Sequence, residues 1–169
     1  MIERIYVDNV RSFVNFEWRP DRLALLLGPN GAGKTVLLDL LAAVQRFVAG
    51  DHSAGEAFPD ASRTRWDSRT DQRVELDVRI GSSAFRYSLV VSHDADTAEA
   101  VVAGERLECD GSPLVELAGG NLRLFREGVG EAFDSLETPL RASCSHYAPV
   151  GMSALRRPLH HRERLDGVL

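Results

Sequence analysis

A chain of 169 residues, 44% hydrophobic and 27% charged, is long enough to bury one ordinary core and has the balance of a globular domain. Its formal net charge of -5 supplies no global attraction for nucleic acid or an anionic membrane, so any such contact would need a local patch. No apolar run approaches the length of a membrane span, Met1-Ile2-Glu3-Arg4 does not read as a secretory signal, and Cys109 and Cys144 are too few for a disulfide framework, so a cytoplasmic setting is expected.

Ile2 to Val10 alternates apolar with polar residues and predicts a strand. Phe13 to Trp18 alternates again, with Asn9-Val10-Arg11-Ser12 as the turn between them. Pro20-Asp21 breaks the chain, and Leu23-Ala24-Leu25-Leu26-Leu27 is then a continuous apolar run, the pattern of a strand buried on both faces. Val36 to Val48 carries apolar residues at helical spacing, and Gly50 suits its C-terminal cap. Asp51 to Asp71 is polar and irregular, a surface loop with Phe58-Pro59 and Trp66 as its expected anchors. From Arg73 the period becomes two, through Val74–Val78, Phe85–Val91, Glu99–Leu107 and Leu122–Phe125, with a hairpin turn at Asp110-Gly111. The expected organisation is a strand-strand-helix core over 1–50, a loop over 51–71, an antiparallel β subdomain over 72–133 and a helical tail over 134–169. In that tail, Leu136 to Ser145 and Ser153 to Leu169 are the helical candidates.

Gly28-Pro29-Asn30-Gly31-Ala32-Gly33-Lys34-Thr35 matches G-x-x-x-x-G-K-[ST], the P-loop, at every defined position. Glycines let successive backbone amides converge on phosphate oxygens, and the helix that follows adds unpaired amides and the positive end of its dipole. Asn30, Gly31, Ala32, Gly33, Lys34 and Thr35 are therefore the candidate nucleotide-binding residues. Lys34 would reach the β and γ phosphates of ATP, and the Thr35 hydroxyl would ligate Mg2+. Lys34 is also the only lysine among the 20 basic residues of the chain. Arginine fills every other basic position, and the exception falls where a slim ammonium rather than a guanidinium fork is needed.

The opening Ile2-x-x-Ile5-x-Val7-x-Asn9-Val10-Arg11-Ser12-Phe13, followed by Leu25-Leu26-Leu27 and Gly28 to Thr35, resembles the N-terminal lobe of ABC-type ATPases. Within them it is most similar to the RecF, SMC and OLD-like group, often labelled AAA-family ATPases. The resemblance covers about the first fifty residues; the later hairpins, with Glu105-Arg106-Leu107, are similar in layout. It implies an α/β P-loop NTPase fold with a mixed sheet, the P-loop helix and an antiparallel β subdomain. It further implies that Arg11 and Ser12 lie near the nucleotide and that two ATPase heads close against each other, as a homodimer or with a second lobe. DNA is a partner by resemblance only.

Several parts of an ABC-type head are not recognisable. Leu117-Ala118-Gly119-Gly120-Asn121 looks like a signature sequence but precedes an alternating Leu122-Arg123-Leu124-Phe125, and is expected to be a hairpin turn. Leu89-Val90-Val91-Ser92-His93-Asp94 is the nearest approach to a Walker B strand, with Asp94 expected in a turn; neither Gln45 nor Gln72 is convincingly placed as a Gln loop. The chain thus reads as the first lobe of a head, ending before its signature and Walker B, able to bind ATP but needing a second lobe to hydrolyse it. Two rivals remain: a small-molecule P-loop kinase or transferase with Arg63, Arg65 and Arg69 as lid, and a non-catalytic subunit that senses ATP. The basic cluster Arg156-Arg157 with His160-His161-Arg162 and Arg164 reads as a solvated helix face. Cys144, His146, His160 and His161 fit no metal-site spacing, and Ser143 and Ser145 lack a nucleophile motif.

Overall fold

The computed structural model describes residues 1–126 and 129–136; the tail helices and the clusters placed between Ser143 and Arg164 lie outside them. In chain order the elements are β1 (Ile2–Asp8), β2 (Phe16–Trp18), α1 (Lys34–Ala49), α2 (Ala54–Ala57), a 3-10 turn (Asp60–Ser62), β3 (Asp71–Ile80), β4 (Ser83–His93), β5 (Ala100–Cys109), β6 (Ser112–Ala118), β7 (Asn121–Arg126) and β8 (Val129–Leu136). The described strands form one sheet in the order β2-β1-β3-β4-β5-β6-β7-β8, with every neighbouring pair antiparallel.

The period of two decides which face is which. Ile5 and Val7 of β1, Val74 of β3, Phe85, Tyr87, Leu89 and Val91 of β4, and Leu107, Val115 and Leu117 beyond them are buried in one core. Helix α1 covers that face with Leu37, Leu40, Val44 and Phe47, the i, i+3, i+7, i+10 stripe of an amphipathic helix. Phe47 meets Phe58 edge to face at 6.2 Å between ring centroids, which ties the segment after α2 to the same core. The opposite face carries a charge ladder in which Arg4 pairs with Glu17 and Glu75, Arg86 with Asp77, and Arg106 with Glu108 and Glu116. These partly buried pairs keep this face polar.

Helix α1 stands where its spacing puts it, and Gly50 caps it by donating its amide to the Phe47 carbonyl. The hairpin turns also fall where expected. The periodicity misses β6, where Leu114 and Val115 stand side by side, and β8, which carries the meander past the expected end at 133 to Leu136, the residue expected to begin a tail helix. Two expectations are corrected. Leu23–Leu27 belongs to no strand, and Leu23, Leu25 and Leu27 are 93%, 80% and 79% exposed. A strand needs neighbours for its amides and carbonyls, and among the described residues none runs alongside, so the sheet expected around this run does not form there. Trp66 is no anchor either: it is 74% exposed, while the buried Phe58 and Thr64 hold its loop.

Candidate functional site

The P-loop lies between the leucine run and α1. Gly33 is the N-cap of α1 in the left-handed region, φ 88°, and a Cβ there would meet the Phe13 ring at 3.4 Å. Glycine is needed at this position for its backbone angle, and the crowding by Phe13 adds to the demand. No side chain caps α1 and no acidic residue occupies its first turn, so the positive end of the helix faces the loop uncompensated. Lys34 folds back across the loop, its Nζ donating to the carbonyls of Gly28 at 2.7 Å and Pro29 at 2.8 Å. An ammonium so held lies over the loop backbone, where an anion with more acceptor oxygens could replace either carbonyl.

Asn30, Gly31 and Ala32 are exposed along the loop, and the Ala32 amide donates to the Pro29 carbonyl at 3.2 Å. Thr35 is exposed in the first turn of α1. Arg11 and Ser12, far away in sequence, come to the same place: the Ser12 Oγ lies 3.7 Å from where a Cβ on Gly33 would stand. Arg11 has the left-handed backbone angle φ 51°, unusual for arginine, and its guanidinium is 3.7 Å from the Asp39 carboxylate on α1. Phe13, expected to open the second alternating run, lies outside β2 and is buried beneath this turn, stacked on Phe16 at 4.4 Å and against Gly33. No local signal marks it, because its contacts are set by the return of the chain through the P-loop.

The weaker motifs are resolved by their surroundings. Ala118 pairs with Asn121, so Gly119-Gly120 is the two-residue turn between β6 and β7 and not the start of a helix. Asp94 accepts hydrogen bonds from the Asp96 and Thr97 amides and the Thr97 hydroxyl, which hold its carboxyl below the usual range and confirm it as a turn residue. Gln45 is exposed on α1, and Gln72 is buried in β3. Of the three arginines of the supposed lid, Arg63 pairs with Asp60, and Arg69 with Asp67 and Asp8. Two of the three are therefore engaged within their own loop, which is poor support for a lid.

No helix among the described residues is long and apolar enough to cross a membrane. The profile of the ABC transporter family matches residues 12–121. The spermidine/putrescine import ATP-binding protein PotA of Methylococcus capsulatus is 31% identical over 153 residues, covering 89% of this chain and 34% of that protein. The chain thus spans about a third of the length of this curated relative.

Proposed function

Because the chain belongs to the ABC transporter family of ATPases, whose domains bind ATP and work with partner domains or as dimers, we propose that Gly28–Thr35 holds the phosphates of Mg-ATP. We propose too that hydrolysis is completed by a second lobe, in cis or from a partner, seated along Leu23–Leu27. The observation that carries the first part is the uncapped end of α1 facing a loop bridged by the ammonium of Lys34. Backbone amides and the helix dipole would meet the phosphate charge, Lys34 would exchange two carbonyls for phosphate oxygens, and Arg11 and Ser12 would approach from the side.

The exposed hydroxyl of Thr35 fits one ligand position on magnesium, which when bound would neutralise charge on the phosphates. Lys34 and Thr35 hold a ground state; Asp94 is spent on its own turn, and in this proposal the second lobe supplies the carboxylate that orients water. The row of exposed leucines beside the P-loop supports a docked lobe, because exposed apolar side chains standing together mark a surface that a partner can cover. An apolar cavity of about 520 Å³ between α1 and the sheet, lined by Leu38, Leu41, Val48, Leu76, Val78 and Phe85 among others, offers further surface of the same kind.

The lead-in Asn9-Val10-Arg11-Ser12-Phe13 supports a place in the RecF, SMC and OLD-like branch, with DNA as the associated substrate class. A second reading, supported by the relative's being a spermidine/putrescine import ATP-binding protein, makes the partner a transport system. Calorimetric titration of the full chain with Mg-ATP tests the core of the proposal. Lys34→Ala is expected to weaken binding by about tenfold to a hundredfold, the loss of charge-assisted hydrogen bonds. Equal binding by wild type and Lys34→Ala, or none by wild type, overturns the P-loop reading. Steady hydrolysis by the purified chain alone, lost in Lys34→Ala, overturns the need for a second lobe.

A further inference from the structure

The largest buried polar constellation among the described residues stands just outside the P-loop, and the nucleotide reading leaves it unused. At its centre is Asn9, fully buried at the end of β1 with φ 57°. Its Nδ2 donates to the carbonyls of Arg69 at 2.8 Å and Asp71 at 2.9 Å, and its Oδ1 accepts the Thr64 amide at 3.1 Å. Its own carbonyl accepts from Gln72 Nε2 at 3.1 Å; the same amide nitrogen reaches Ser62 Oγ at 3.1 Å, and Gln72 Oε1 lies 2.9 Å from His93 Nε2. The Asn9 side chain thus gathers Thr64, Arg69 and Asp71 around the end of β1, and the Gln72 side chain, held by the Asn9 backbone carbonyl, adds Ser62.

Burying an amide is unfavourable unless its hydrogen bonds are made, and an apolar side chain would fill the space without that demand. What the amide supplies is direction. The Arg11 amide donates to the Ser62 carbonyl at 2.6 Å, and Val10 bridges to both Phe13 and Arg63, so the Val10–Phe13 turn is pinned to the loop that Asn9 gathers. Asp8 reinforces it from the other side, accepting the Asn15 amide and the Arg69 guanidinium; chiefly that guanidinium holds the Asp8 carboxyl below the usual range. Arg11 keeps its unusual backbone angle inside this frame, and a strained angle persists only where the surroundings over-determine it.

We propose that Asn9 is a positioning residue for the nucleotide site. By tying the end of β1 to residues 62–72 it fixes the turn that presents Arg11 and Ser12 to the P-loop, and nucleotide affinity depends on it without contact. This inference rests on the Mg-ATP reading above. In the full chain, Asn9→Ala is expected to raise the Kd for Mg-ATP about tenfold and to speed hydrogen exchange at the Arg11 amide by a similar factor. Val74→Ala removes buried volume from β3 without touching the clamp, and serves as the control of comparable thermal destabilisation. It should leave the Kd within about twofold of wild type. Asn9→Gly accepts the backbone angle but not the hydrogen bonds, and should bind as weakly as Asn9→Ala. If Asn9→Ala does not fold, Asn9→Asp, which keeps the acceptor for Thr64 and loses both donors, takes its place in the same measurements. The inference is overturned if the Asn9 variants bind as wild type does, if Asn9→Gly regains affinity, or if Val74→Ala loses as much. If wild type itself binds no Mg-ATP, the P-loop reading fails first and this one falls with it.

Discussion

In β4 the side chains of Phe85, Tyr87, Leu89 and Val91 lie under α1, whereas Leu23, Leu25 and Leu27 stand in water beside the P-loop. The residue types are similar. The difference is in the neighbours. β4 pairs with β3 through a tight turn and with β5 through the turn after His93, so both its hydrogen-bonding edges are filled from nearby sequence. The leucine run has no strand beside it among the described residues. An apolar run is therefore a statement about what a segment could bury, and only its partners decide whether it becomes a strand.

The firmest way to break this comparison is to cut into the half that is complete. Phe47→Ala would remove a fully buried ring that joins α1 to Phe58, and should lower stability by about 3–5 kcal/mol in denaturant unfolding. A loss no larger than that of a surface substitution would mean that the α1 face is not the core. Leu89→Ala, on the sheet side of the same interface, should cost about 2–5 kcal/mol.

The same contrast explains what could be read in advance. The P-loop, α1 with its Gly50 cap, and the turns at Asp110-Gly111 and Gly119-Gly120 are written within a few residues of themselves, and each stands where the pattern puts it. Arg11 and Ser12 reached the site only by resemblance, since nothing local says that their turn returns to Gly33. The Asn9 clamp was hidden for a plainer reason: the partners of Asn9 are 55 to 63 positions away. Trp66 misled because a tryptophan in a polar loop usually reports burial, whereas here Thr64 and Phe58 do the anchoring.

A smaller loss should come with acid, and it bears on the clamp behind the meander. His93 is buried in β4, with Nε2 on Gln72, Nδ1 4.0 Å from Asp60, and the Ala98 backbone, Arg63 and Asp71 nearby. Burial, foremost, and the charge of Arg63 hold its pKa below the ordinary 6.5. Between the folded and unfolded values the unfolded chain binds more protons, so stability rises with pH in that window. The His93 contribution should be whole above about pH 6.5 and decline as pH falls toward the folded value. His93→Gln should flatten this slope in chemical unfolding followed from pH 7.5 to 5. An unchanged slope would place the acid sensitivity elsewhere.

Turn chemistry should matter less again. Gly111 has φ 81° in the two-residue turn between β5 and β6, with open space where a Cβ would stand. Gly111→Ala would therefore add backbone strain without a clash, about 1 kcal/mol, measurable as a lower thermal midpoint with the sheet intact.

The smallest effect on stability is the most telling for the comparison. Leu25→Ser changes a leucine that is mostly in water, so the monomer should unfold within about 0.5 kcal/mol of wild type. The transfer term that makes Leu89→Ala costly is absent, because the side chain was never withdrawn from solvent. What should change is association: an unpaired segment with three exposed leucines favours contact with another chain, and removing the central one should reduce self-association in sedimentation at raised concentration. A Leu25→Ser variant as damaged as Leu89→Ala would show that the run is buried in the isolated chain, and the contrast between the two regions would disappear. If its stability holds while association falls, the leucine row is a surface awaiting a neighbour, as the proposed second lobe requires.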